Sequence, residues 1–204
     1  EQIVAEELIK RNENGLVFHG GGFVYKDKAI MVVQGKGAGK TTMIAKMTSY
    51  DDFQYIADDL IICNKSLEVL SMPFPMRLRN IDIDGFHLQG QFLGNCTDFN
   101  GVTRYLFLPD RQFTGDRAKL NLVLLPQYLS DAENSFCYTP LYGKSKIDSL
   151  IRNIKEIQNI HRFYQDISHL SDVVSVYNCS YSGDIHRIAG ECSKFVKERV
   201  DCCG

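Results

Sequence analysis

The 204-residue sequence has no apolar run longer than a strand. Ala29 to Val33 and Leu122 to Leu125 are among its longest, against the roughly 20 residues that a bilayer-crossing helix needs. The charged, apolar and small-residue succession of a secretory signal is also missing, so neither a membrane span nor a leader is expected. An excess of one charge is lacking too. Lys and Arg number 23 against 25 Asp and Glu, a formal charge of −2, which gives no electrostatic reason to expect nucleic acid or an anionic membrane as partner. Repeats, low-complexity tracts and linker-like stretches are absent, so residues 1–204 read as one continuous domain, long enough for a sizeable core. The seven cysteines (Cys63, Cys96, Cys137, Cys179, Cys192, Cys202, Cys203) lack metal-ligand spacing and are odd in number. They read as reduced thiols of a cytoplasmic protein, with Cys202-Cys203 in an inert tail. The first residue, Glu1, is not Met, which reads as a processed, trimmed or partial chain.

What is present is an α/β pattern. Leu16 to His19, Phe23 to Tyr25 and Ile30 to Val33 are strand-like, with three glycines (Gly20, Gly21, Gly22) before Phe23 and a polar turn at Lys26, Asp27 and Lys28. Thr41 to Ser49 has helical spacing through Ile44 and Met47. Phe53 to Ile62 is rich in β-formers, and a short strand through Leu67, Val69 and Leu70 follows a turn at Asn64-Lys65. Met72-Pro-Phe-Pro75 is a rigid loop. Arg104 to Leu108 and Leu120 to Leu125 are further strands, joined by an exposed charged loop over 109–119. Ile147, Leu150, Ile151, Ile154 and Ile157 share one helix face, Val173 to Tyr177 is a strand, and Ser182 or Asp184 caps a last helix bearing Ile185, Ile188, Cys192 and Val196. Many strands before the helices suit a mixed sheet better than strict βα alternation.

The chemistry concentrates in two places. Gln34-Gly-Lys-Gly-Ala-Gly-Lys-Thr41 joins a strand to a helix, the context in which backbone N–H groups and a helix N-terminus hold phosphates. Gly35, Lys36, Gly37, Ala38, Gly39, Lys40, Thr41 and Thr42 are thus the expected nucleotide contacts, with Lys40 on the β- and γ-phosphates and the Thr41 hydroxyl on Mg²⁺. The usual first glycine of such a loop is displaced by one residue, leaving Gln34 in its place. The second place is Asp58-Asp59, which follows Lys40 by 18 residues and closes the apolar run Tyr55-Ile56-Ala57. An acidic pair there suits a Mg²⁺ ligand and a base for an attacking hydroxyl. The similar pair Asp51-Asp52 lies in polar surroundings and reads as a solvated turn.

In order along the chain stand His19 at a strand end, the loop, Ala57-Asp58-Asp59 and a Pro-Phe-Pro loop running into Arg77-Leu78-Arg79. Then come the strand Arg104-Tyr105-Leu106 and an apolar strand ending at Leu125-Pro126. This succession, over roughly residues 16–145, resembles the HPr kinase/phosphorylase family, related in fold to phosphoenolpyruvate carboxykinase, and more closely its short members that have only the kinase domain. The resemblance implies a mixed-sheet kinase domain with helices mainly in the C-terminal third. It also implies ATP and Mg²⁺ as cofactors, His19 beside the transferring phosphate, and Asp58 and Asp59 as metal ligand and base in either order. The implied acceptor is a serine-type hydroxyl on a protein, a peptide or free serine, and a peptide modified in natural-product biosynthesis suits so small a domain. The family's phosphorylase signature loop has no clear counterpart, so reverse phosphorolysis is not implied.

Arg77, Arg79 and Arg104 are candidate clamps for phosphates or an acidic acceptor. His87, His161, His169 and His186 form no constellation. Two rival functions are a metabolite kinase of the shikimate or gluconate type, in which a helix follows the aspartates, and a nucleotide-binding regulatory module without transfer activity. The sequence leaves the acceptor, the nucleotide base and a homo-oligomeric assembly open.

Overall fold

The structure is a computed structural model describing residues 7, 15–79, 87–97, 101–129, 136–157 and 160–202. Its strands are β1 (Leu16–Phe18), β2 (Gly20–Tyr25), β3 (Lys28–Val33), β4 (Phe53–Ala57), β5 (Ile61–Cys63), β6 (Glu68–Leu70), β7 (Met76–Arg79), β8 (Gly90–Thr97), β9 (Thr103–Pro109), β10 (Arg117–Tyr128), β11 (Phe136–Pro140), β12 (Ile154–Ile157) and β13 (Ser175–Tyr181). The helices among the described residues are α1 (Lys40–Met47), α2 (Gly143–Arg152), α3 (Ile160–Val173) and α4 (Ile185–Asp201).

Ten strands form a mixed sheet around β10, whose interior is apolar enough to be buried on both faces. Lys119 pairs with Glu68 of β6 and with Lys28 of β3, so these strands flank opposite edges of β10. Further along, β13 takes over the β6 edge, running parallel to β10 from Leu122 to Tyr128. The order β12-β1-β5-β6-β10-β3-β2-β4 thus carries β13 and β11 as a branch. A second sheet, β7-β9-β8, is antiparallel throughout.

Strand alternation divides the core between the two faces of the large sheet. Met31, Val33, Val123 and Leu125 pack on one side with Leu150 of α2 and Phe163, Ile167 and Leu170 of α3. Ile30, Val32, Leu122 and Leu124 pack on the other with α1, α4, and Met76, Leu78 and Phe107 of the small sheet. The Asp184 carboxylate caps α4 by accepting from the amides of His186 (2.7 Å) and Arg187 (3.0 Å), which selects it over Ser182 as the N-cap.

The expected helix through Ile157 is shorter. It ends at Arg152, and Ile154–Ile157 pairs antiparallel with β1. β-branched isoleucines serve either element, and the free edge of β1 decides the outcome. The three glycines belong to β2 rather than preceding it. Cys63, Cys96, Cys137, Cys179, Cys192 and Cys202 are free thiols, whereas Cys203 lies outside the described residues. No helix among the described residues is long and apolar enough to cross a membrane.

Candidate active site

The loop between β3 and α1 gets its shape from two left-handed glycines, Gly37 (φ 86°) and Gly39 (φ 83°), a conformation costly for residues with a Cβ. Gln34 and Gly35 are not left-handed, so the displaced glycine leaves no strain behind. The Gln34 side chain instead closes a local turn, its Oε1 accepting from the Gly35 amide at 3.1 Å. Gly39 is also the N-cap of α1, where no side chain caps the helix. Its first amides are therefore open to an anion.

Lys40 folds back over the loop, its Nζ donating to the carbonyls of Gln34 (2.8 Å) and Gly35 (3.0 Å). Burial lowers its pKa, against the opposing pull of Asp58 and Asp59. Thr41 Oγ1 donates to Asp58 Oδ1 at 3.2 Å. Asp58 sits just beyond the end of β4, closely surrounded by protein while keeping part of its surface toward the cleft. Desolvation by burial pushes its pKa up to about 7, partly offset by hydrogen bonds from the Asp59 amide and Thr41. Asp59, left-handed at φ 65°, turns outward and is exposed.

His19 lies in the gap between β1 and β2, its amide donating to the Asn153 carbonyl at 2.9 Å. Its Nδ1 is 3.2 Å from the Asp59 carbonyl oxygen and 3.6 Å from Asp59 Oδ1. Burial, then the charge of Lys40, lowers the His19 pKa, with Asp59 opposing. Gly21 of β2 holds these parts close together. A Cβ there would lie 2.5 Å from the Ala57 carbonyl oxygen, 2.7 Å from Ile44 Cδ1 and 2.8 Å from Asp58 Cα.

One cleft of about 480 Å³ collects most of the expected residues. His19, Lys36, Gly37, Gly39, Lys40, Thr41, Thr42, Asp58 and Asp59 line it, and Arg77, Leu78, Arg79 and Arg104 of the small sheet line it as well. Gly35 and Ala38 do not. Asp51 and Asp52 lie elsewhere in a surface turn, paired with Arg111 and Lys197. His87 and His186 stand with rings 5.7 Å apart, and neither lines the cleft.

The oxygens of Thr41 and Asp58 suit Mg²⁺, which takes one or two protein oxygens and completes its shell with phosphate and water. Among the described residues no cluster of three or more His, Cys, Asp or Glu would form an all-protein cage.

The comparisons with known proteins add little to this geometry. No protein-family model matches the sequence. No curated protein matches it either. Among solved structures it is similar to the Hpr(Ser) kinase/phosphatase from Coxiella burnetii, at 10% identity and a TM-score of 0.45, over 92% of this chain and 99% of that one. So slight a likeness carries no assignment, and function rests on the chemistry of the cleft itself.

One residue at the loop escaped the sequence reading. The Tyr181 hydroxyl, at the end of β13, donates to the Ala38 carbonyl at 3.0 Å. Burial raises its pKa, which keeps the hydroxyl a donor. Pairing of β13 with β10, itself next to β3, brings it there.

Proposed function

We propose that this chain is an ATP- and Mg²⁺-dependent kinase that transfers the γ-phosphoryl group to a serine-type hydroxyl. The observation that carries this reading is the meeting of Lys40, Thr41, Asp58, Asp59 and His19 in one cleft, with Thr41 3.2 Å from Asp58. Phosphoryl transfer asks a protein mainly for positioning and charge neutralisation, and this set supplies both.

In this reading the loop amides and the start of α1 hold the phosphate chain, and Lys40 exchanges its carbonyl partners for β- and γ-phosphate oxygens. Thr41 and Asp58 hold Mg²⁺, which neutralises phosphate charge when bound. Asp59, exposed and beside His19, accepts the acceptor's hydroxyl proton. The hydroxyl oxygen forms its bond to the γ-phosphorus as the bond to the bridging oxygen breaks. ADP leaves with its charge offset by Lys40, while His19 keeps Asp59 oriented. The strand-turn-strand of β5 and β6 after the aspartates favours this reading over a shikimate- or gluconate-type kinase.

Labelled ATP, offered with free serine and with serine-containing peptides and proteins, tests it. Asp59→Asn should lower transfer about 10²–10⁴-fold, the usual worth of a general base, with Mg²⁺-ATP affinity retained. Asp58→Asn should weaken the Mg²⁺-dependent part of that affinity. Undiminished transfer in both variants sinks the assignment.

A further inference from the structure

The small sheet forms the wall of the cleft that the nucleotide chemistry leaves unused. Along β7 the side chains alternate, Met76 and Leu78 buried in the core and Arg77 and Arg79 exposed. Arg79 pairs directly with Arg104 of β9, so the two share a face, and Arg77 lies two residues along on that same face. All three arginines line the cleft that contains Lys40 and Asp58. Like charges directly opposite one another on a sheet are destabilising, and a shared anion turns that cost into binding energy.

Among the described residues, the cleft is lined by five cationic side chains (Lys36, Lys40, Arg77, Arg79, Arg104) and two carboxylates (Asp58, Asp59). Lys36 and Lys40 belong to the loop and the start of α1, where the phosphate chain is held. The arginines stand on a separate element, which suits a second anion. Guanidinium forks bind carboxylate and phosphate oxygens in pairs and fix orientation as well as charge.

We propose that Arg77, Arg79 and Arg104 form an anchoring site for an oxyanion carried by the phosphoryl acceptor, so that the acceptor is a hydroxyl compound bearing a carboxylate or phosphate. The acceptor role rests on the kinase reading above; the second anion site does not. Holding the acceptor by its anion on the small sheet presents its hydroxyl to Asp59 and the γ-phosphate across the cleft, and it disfavours neutral alcohols and water.

Binding experiments separate the two claims. Protein saturated with Mg²⁺ and a non-hydrolysable ATP analogue is titrated calorimetrically with inorganic phosphate. One further phosphate ion should bind, and the Arg79→Gln/Arg104→Gln pair should weaken it at least tenfold with nucleotide affinity unchanged within about twofold. Arg77→Gln alone should weaken it less. These side chains lie outside the core, and a thermal melt of each variant verifies folding; Arg79→Lys/Arg104→Lys, which keeps the charge, should restore part of the affinity. L-serine or glycerol 3-phosphate should displace the phosphate, the first pointing to a carboxylate and the second to a phosphate on the acceptor, while L-serinamide should not. The proposal is overturned if phosphate binds only when the nucleotide site is empty, if the arginine variants lose nucleotide and phosphate together, or if serinamide displaces as well as serine. Displacement by neither anionic compound removes the acceptor role. If phosphate binds as expected but no acceptor is phosphorylated, the kinase reading fails and the anion site stands.

Discussion

The hydroxyl of Tyr181 and the carbonyl of Ala38 are 3.0 Å apart in space and 143 residues apart in sequence. This bond ties the crest of the glycine-rich loop to the end of a core strand. Removing it with Tyr181→Phe deletes one neutral hydrogen bond, worth about 0.5–1.5 kcal/mol. Nucleotide affinity should therefore fall about 2- to 12-fold by calorimetry, with the fold intact.

The same tyrosine makes the loop glycines unequal. A Cβ on Gly39 would sit 2.2 Å from the Tyr181 hydroxyl and 3.5 Å from its ring carbon, on a backbone at φ 83°. Gly37 is also left-handed but opens on space, and Gly35 is neither left-handed nor crowded. Loss of nucleotide affinity should thus rise from Gly35→Ala through Gly37→Ala to Gly39→Ala. Tyr181→Phe should partly rescue Gly39→Ala, because deleting the hydroxyl removes the clash and leaves only backbone strain. A double-mutant cycle that came out additive would refute the contact.

Asp58 sets a pH dependence whose sign follows from its surroundings. Its folded pKa of about 7 lies above the ordinary 3.8, so between about pH 4 and 7 the native state holds a proton that the unfolded chain has released. Its contribution to stability is present in full below about pH 4 and is lost as pH rises through 7. His19 shifts in the opposite direction, so the clean observable is the difference between wild type and Asp58→Asn. Denaturant titrations across pH 4–8 should show wild type losing stability relative to the variant as pH rises. Mg²⁺ needs the ionised carboxylate, so apparent Mg²⁺ affinity should weaken below about pH 7.

Helix α4 depends on its cap. Asp184→Ala removes two charge-assisted bonds to backbone amides and should cost about 0.5–2 kcal/mol. In a chain of this size that is a drop in Tm of roughly 1–8 °C, readable by calorimetry.

Much of the site was legible because its signals are local. Lys40, Thr41, Asp58 and Asp59 stood in short motifs with recognisable chemistry, His19 entered only through a family resemblance, and all five line one cleft with the three arginines. The solvated turn at Asp51-Asp52 was legible for the same reason. What escaped the reading depends on distant pairing. Tyr181 reaches the loop only because β13 lies beside β10, and Ile154–Ile157 becomes a strand only because β1 has an edge to fill. Strand β8 has almost no buried positions, so it carries no alternation to read. Helix α3 carries a stripe of Phe163, Ile167 and Leu170 at helical spacing, and its last residue, Val173, lies where the apolar run through Tyr177 reads as strand.

Gly21 acts as a spacer defined by what it leaves out. The backbone of the acidic turn and the tip of Ile44 occupy the space of its missing side chain, so the gap between Asp58 and the loop is gauged from behind, by the thickness of a strand. Even one methyl group there would act as a shim, pressing on the backbone of Asp58 and lifting its carboxylate off Thr41. A chain could keep its loop, its lysine and both aspartates and still fall silent through that single carbon atom.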